Sequence, residues 1–369
     1  MDSPLDKSIS FLLFLFIGFL LKKKISPGDE TNGLKSLILS IALPATIFIA
    51  LLKIDISSQL ILFPFLALTF NCILFLVTPF LLFLIGIDKN SARGRSARLL
   101  ISSLAPGLSC FPFVLEFLGD NSLAKAAMSD LGNKFFVLFV LYLIALKWYY
   151  KNIPFQSNSL NVRLKSLFKT FVCEPVNLLI IAALILVFFG IRLDTIPHYL
   201  SITLTRLSYM MTPLVLIFIG LAVKIKKIQF LELFSLLLLR AGFTILVIVA
   251  FIYFGGIVDK KDILVMITFS LSACSFWPYA HISSVNFIEK KENKTDKTFD
   301  PDFSLFILAL SLPISVLLIL GILTAGNTFV KIDNLLILGI LLFSVGLLYP
   351  IIMKINSFFK NKIEFFYEK

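Results

Sequence analysis

SCFPF, residues 109–113, and SFWPY, residues 275–279, are two copies of one phrase: serine, any residue, aromatic, proline, aromatic. Each lies inside a long apolar stretch. Proline within a helix removes a backbone hydrogen bond and clashes with the preceding turn. In hydrocarbon the carbonyls it frees must find other partners, and non-helical backbone is tolerated there only where it is buried in protein or lines a cavity. The repeated phrase therefore predicts two interrupted helices whose breaks serve a shared purpose.

The rest of the chain sets the medium. It has 369 residues, 58% of them hydrophobic and 15% charged, whereas a soluble domain is about 25% charged. Apolar runs of about 20 residues, long enough to cross a bilayer, recur from end to end. The fold class is an all-α polytopic membrane protein; water-soluble cores and DNA-binding folds are set aside. The net charge of +12 belongs to short loops between spans rather than to a nucleic-acid surface. Cys72, Cys110, Cys173 and Cys274 lie in or beside apolar segments and form no CxxC pair, which argues against a metal cage or a disulfide framework. Two histidines make a histidine metal site a poor expectation. The first apolar run ends in Lys22, Lys23 and Lys24 with no small-residue cleavage site, and acidic residues precede it, unlike a cleavable signal peptide.

Eleven spans are expected, near 8–21, 35–52, 60–86, 99–118, 131–150, 170–190, 200–223, 231–256, 262–288, 303–323 and 332–353. The loops after the odd-numbered spans up to the ninth, and the C-terminal tail, hold most of the cations: Lys89, Arg93, Arg95 and Arg98 in one, Lys224, Lys226 and Lys227 in another, Lys354, Lys360 and Lys362 in the tail. By the positive-inside rule the N-terminus lies outside and the C-terminus in the cytoplasm, in a bacterial inner membrane. The polar stretch 151–169 divides the chain into a first group of five spans (1–150) and a second (170–323), with an extra span and basic tail at 324–369. Five is odd, so two homologous groups would face opposite ways, the inverted-repeat plan of many secondary transporters. A second repeated phrase agrees. LPATIFIALLKI (43–54) and TPLVLIFIGLAVKI (212–225) each carry a proline, an apolar run and a far lysine. Pro44 precedes Pro112 by 68 residues and Pro213 precedes Pro278 by 65.

SFLLFLFIGFLLKKKISPGDETNGLKSLILSIALPATIF at the start of the chain resembles the opening of the auxin efflux carrier family of permeases. APGLSCFPFVLEFLG resembles that family's first broken helix on Gly107, Pro112 and Gly119. MTPLVLIFIGLAV and LLLLRAGF, with Arg240, resemble its seventh and eighth spans, and WPYAHISSVN its second broken helix on Pro278 and Ala280. The resemblance covers residues 8–323. It implies a fold like that of bile-acid symporters and sodium/proton antiporters, with a panel domain, a core domain and crossing broken helices 4 and 9. It also implies transport of organic anions such as carboxylates. The chain departs from the family at Ala105, where an asparagine is usual, and at Cys110, where a glycine is usual.

The candidate substrate- or ion-binding residues cluster at the breaks: Ser109, Cys110, Phe111 and Pro112 at the first, Ser275, Trp277 and Pro278 at the second. The serine hydroxyls either meet substrate or cap freed backbone groups. Glu116 is either an intramembrane proton carrier or an acid at the outer interface. Arg240 either grips an anion through its planar fork, pairs with Glu116 or Glu232, or snorkels to the interface. Asn71 and Asn286 either line a cavity or join helices by hydrogen bonds. His281 either titrates during transport or is a hydrogen-bonded structural residue. Glu174, before Pro175, reads as helix N-terminal chemistry.

The function that follows is a secondary transporter of a small organic anion, working by alternating access at the crossing, with a proton or sodium as coupling ion and no cofactor. Its partners are the substrate and the lipid bilayer, with no nucleic acid, and a homodimer is compatible. A membrane-embedded lipid-modifying enzyme would need clustered catalytic His, Asp or Glu at one face, and His198 and His281 lie in separate spans. A non-transporting receptor or scaffold is the other alternative.

Overall fold

The computed structural model describes residues 4–25, 29–53, 58–150, 168–169, 175–222, 230–291 and 296–367. Among these, every regular element is a helix. The dividing stretch is outside the described residues over 151–167, as are Cys173, Glu174, Lys224, Lys226 and Lys227.

The helices are α1 (Pro4–Leu21), α2 (Asp29–Leu37, a π-helical turn Ile38–Ala42, then Leu43–Leu52), α3 (Ser58–Leu84), α4a (Ala92–Ile101), α4b (Pro106–Ser109), α4c (Phe111–Leu118), α5 (Asp120–Phe135, a π-helical turn Phe136–Val140, then Leu141–Tyr149), α6 (Pro175–Phe188), α7 (His198–Tyr209, then Met211–Ala222), α8 (Phe230–Gly255), α9a (Lys260–Ser270), α9b (Phe276–Lys291), α10 (Pro301–Ala325) and α11 (Ile332–Tyr367). Eight of these rods are long and apolar enough to cross a membrane, and α6 is a shorter apolar helix. The interrupted α4 and α9 complete the eleven segments expected. Several boundaries differ from expectation: α4 begins at Ala92 rather than near 99, and α11 runs to Tyr367 rather than ending near 353. α2 and α5 begin well before their apolar runs, because the polar stretches Asp29–Leu37 and Asp120–Leu131 continue the same helices. Gly119, at φ 88°, ends α4c in a conformation that a side chain disfavours.

Pro64 and Pro79 lie inside α3, Pro313 inside α10 and Pro350 inside α11, while the repeated prolines sit early in helical pieces. Pro44 is the second residue after the π-helical turn of α2, and Pro213 is the third residue of α7's second piece.

α1 packs along α7, and α6 and α7 pack on α2. Around this group lie α3 against α5, α4a between α3 and α10, α9a between α8 and α5, and α11 along α8. Water-driven burial does not hold helices together in lipid; close approach and interhelical hydrogen bonds do. Glycines supply the approach. A Cβ at Gly18 would fall 2.2 Å from the Ile217 carbonyl oxygen, and one at Gly220 2.2 Å from that of Leu15, so α1 and α7 touch backbone to backbone. Gly242 of α8 faces α11 in the same way, 2.5 Å from the Phe343 nitrogen. On the basic side, Arg93 pairs with Glu232 at 3.0 Å and Arg95 donates to the Thr298 carbonyl at 2.7 Å. Asp300 N donates to Ser96 Oγ at 2.9 Å. The start of α4a is thereby fastened to the starts of α8 and α10.

Candidate functional site

The two interruptions meet. The chain leaves the helix at Ser102 and rejoins it at Pro106; it leaves again at Leu271 and rejoins at Phe276. Each loose segment carries backbone groups that no helix satisfies, and each satisfies the other. Ala105 N donates to the Ala273 carbonyl at 2.8 Å. Ala273 N donates to Ser109 Oγ at 2.9 Å, and Ser275 N to Ser103 Oγ at 3.0 Å. Ser109 Oγ in turn donates to the Ala105 carbonyl at 2.8 Å. The break in α4 therefore lies at SSLA, residues 102–105, ahead of SCFPF. Pro112 is the second residue of α4c and Pro278 the third of α9b. Helix resumes after the first break at Pro106, the first residue of α4b, and after the second at Phe276, two residues before Pro278; the hydroxyls of Ser103 and Ser109 close the crossing.

Replacing Ser109 with alanine leaves the buried Ala273 N–H without its acceptor. The expected cost is about 1–3 kcal/mol, read as a fall in the unfolding temperature of the detergent-solubilised protein. An unchanged temperature would mean that this hydroxyl is not what satisfies the second break.

Arg240, in the middle of α8 and 4% exposed, reaches into the same place. Its Nε donates to the Ile101 carbonyl at 2.9 Å, and its Nη2 to the carbonyls of Ser103 at 3.2 Å and Ser272 at 3.0 Å. Among the described residues it is paired with neither Glu116 nor Glu232; Glu232 is held by Arg93.

Beside the crossing a buried polar network hangs from α5. The Asn133 amide matches the backbone of Leu104 on both sides: its Nδ2 donates to the Leu104 carbonyl at 2.9 Å, and its Oδ1 accepts from Leu104 N at 3.2 Å. It also donates to Asp130 at 2.8 Å and accepts from Asn71 of α3 at 3.0 Å. One turn along α5 from Asp130, Lys134 pairs with that carboxylate at 3.4 Å and donates to Asn177 of α6 at 3.1 Å.

A cavity of about 300 Å³ opens between this network and the crossing. Its polar wall is Lys35, Asp130, Asn133, Lys134 and Ser275; its apolar wall comes from α2, α5, α6, α7, α9b and α10, including Trp277. Lys35 of α2 stands over the ring of Phe276 at 4.5 Å, at the first turn of α9b.

Of the residues singled out from sequence, Ser275 and Trp277 line this cavity, while Ser109, Cys110, Phe111 and Pro112 are buried behind it. Asn71 sits one residue further back, on Asn133. His281 bonds the Val137 carbonyl through Nε2 at 3.0 Å and packs against Tyr142. That carbonyl belongs to the π-helical turn of α5. Asn286 does not line the cavity, and its buried Oδ1 has no hydrogen-bond partner among the described residues. Glu116 lines a separate pocket with Asp6, Lys7 and Tyr209, and its backbone carbonyl accepts from Lys7. Sequence reasoning missed Lys35, Asp130, Asn133 and Lys134. The available signal was the phrase DLGNK, residues 130–134, an acid and a base spaced to share one helix face.

No family model matches the chain. Over 232 residues it is 30% identical to a protein of Methanocaldococcus jannaschii named as an uncharacterized transporter, covering 62% of this chain and 71% of that one. The chain belongs to this transporter family. A member of this transporter family with eight apolar helices long enough to span is an integral, multi-pass membrane protein, set in the lipid bilayer and handling a small-molecule substrate.

Proposed function

We propose that this member of the transporter family is a secondary transporter of a small organic anion, bound in the cavity beside the crossing of α4 and α9 and carried by alternating access. The observation behind this reading is the charge of the cavity wall. Lys35 and Lys134 set two positive charges against the one negative charge of Asp130. A net positive charge at membrane depth is costly when unpartnered, and a carboxylate would complete it. The N-terminal end of α9b, with Phe276 and Trp277, also faces the cavity; helix N-termini favour anions. The apolar remainder of the wall suits a substrate with a hydrocarbon or aromatic body.

The inverted repeat is part of the same proposal. If spans 1–5 and 6–10 are equivalent, the packing of α1 on α7 should be matched by α6 on α2. Likewise α4a on α10 should be matched by α9a on α5, and α3 on α4a by α8 on α9a. All of these pairs are in contact, which supports the 1–150 and 170–323 division. Membership of the auxin efflux carrier family rests on the resemblance at Gly107, Pro112, Gly119, Arg240 and Pro278. The distribution of cations supports an N-terminus outside and a cytoplasmic tail.

Purified protein in liposomes, offered a panel of labelled carboxylates with and without proton or sodium gradients, tests the reading. Lys35→Met is expected to weaken uptake through KM by roughly 10- to 100-fold, the worth of one charge-assisted hydrogen bond. No uptake of any carboxylate, or equal uptake of neutral analogues, would sink it.

A further inference from the structure

In transporters built on broken helices, unwound carbonyls and half-helix C-terminal ends are where a coupling cation is usually held. Here α4a ends at Ile101 and α9a at Ser270. The last carbonyl of α4a, that of Ile101, and those of Ser103 and Ser272 in the loose segments converge on one buried volume just past the C-terminal ends of both helices, where the helix dipoles are negative. That volume is occupied by a side chain. The guanidinium of Arg240 takes the Ile101, Ser103 and Ser272 carbonyls together. Arginine keeps its charge under all physiological conditions, and its planar fork can serve several acceptors at once. Among the described residues no carboxylate pairs with it, so its charge answers the carbonyl ends alone.

We propose that Arg240 is a resident cation: its guanidinium supplies the positive charge, and its N–H groups occupy the carbonyl lone pairs, that a bound alkali ion would otherwise supply and occupy, so the crossing of α4 and α9 takes no sodium. Arg240 is a positioning residue on this reading, and it acts whatever the transported molecule is. It also ties α8 to both breaks, so α8 and the crossing move as one body. The chemical consequence is that removing the charge opens a site for a small cation.

Trp277 offers a local reporter, because it stands at the second break and the chain has two tryptophans. With Trp148→Phe as background, Trp277 emission and the unfolding temperature are measured in detergent, in sodium, lithium or N-methylglucamine chloride at equal ionic strength. With Arg240 present, both readings are expected to be the same in all three salts. In Arg240→Gln the emission is expected to shift and the unfolding temperature to fall, and both are expected to recover on adding sodium or guanidinium far below denaturing concentration. Arg240→Lys, which keeps the charge, is expected to show no gained response to sodium. A saturable sodium response of Trp277 with Arg240 intact would overturn the proposal, and that measurement stands even if Arg240→Gln fails to fold. So would an Arg240→Gln protein whose readings match its parent, or whose shift no small cation reverses.

Discussion

Lys134→Met is expected to destabilise the protein by about 3–5 kcal/mol, because it leaves Asp130 buried without its counter-ion. The two side chains are 9% and 6% exposed and one turn apart on α5. The cavity beside them admits water, which puts the expected cost at the lower end of that range. Destabilisation alone would not identify what Lys134 does. The double substitution Asp130→Asn with Lys134→Met separates the two roles. It removes both charges, and the asparagine oxygen can still accept from Asn133 Nδ2, as the Asp130 carboxylate does at 2.8 Å. Replacing a buried pair as a unit is often neutral, so the unfolding temperature should return to near that of the unaltered protein. Uptake of a carboxylate should not return if Lys134 is one of the two cations that receive it. A loss of roughly 10-fold or more is expected in both the single and the double variant. A double variant that carries carboxylates as well as the unaltered protein would remove Lys134 from the binding site and leave it a structural residue.

The contrast between what could be read from the chain and what could not follows from how membrane helices are specified. Apolar length and proline are local signals, so the eleven segments and the interruption of the fourth and ninth were legible. The position of the first interruption was not. Proline is tolerated at a helix start, so Pro106 and Pro278 stand in the first turns after the two non-helical segments, while the segments themselves are serine-rich: SSLA at 102–105 and LSACS at 271–275. The hydroxyls of Ser109 and Ser103 accept from backbone N–H groups of the other break, 164 and 172 residues away, and no local signal shows such a pairing. The polar network escaped for a different reason. Asp130 and Lys134 cancel in any average over the segment, and they straddle the start of the expected fifth span at 131, where a charge reads as an interface residue. Lys35 is hidden likewise in the polar opening of α2. Arg240 was visible as a charge inside an apolar run, but the choice between an anion grip and an ion pair did not include backbone carbonyls as its partners, because the sequence gives no sign that two helix ends converge beside it.

The second large effect is expected at Gly132, which lies between Asp130 and Asn133 on α5. A Cβ there would fall 1.9 Å from the Pro64 carbonyl oxygen, 2.7 Å from its carbon and 3.0 Å from its Cα. All three atoms are backbone of α3, so no side chain can rotate away, and Gly132→Ala must push α3 and α5 apart. Overpacking in a close-packed interior costs about 1–3 kcal/mol. The displacement also strains the Asn71–Asn133 bond at 3.0 Å and the paired bonds from Asn133 to Leu104, each worth about 0.5–1.5 kcal/mol. The expected total is about 3 kcal/mol or more. Gly321→Ala is the matching control: Gly321 is inside α10, and nothing lies within 4 Å of where its Cβ would be. There alanine should stabilise the helix by about 0.5–1 kcal/mol, through the backbone freedom that glycine loses on folding. Opposite shifts in unfolding temperature from the same chemical change would establish that backbone contact between α3 and α5 holds the network against the crossing. Equal shifts would refute it. Because Asn133 carries Leu104, and Leu104 leads into the first break, Gly132→Ala should also lower uptake in liposomes. Gly321→Ala, remote from the cavity wall, should not.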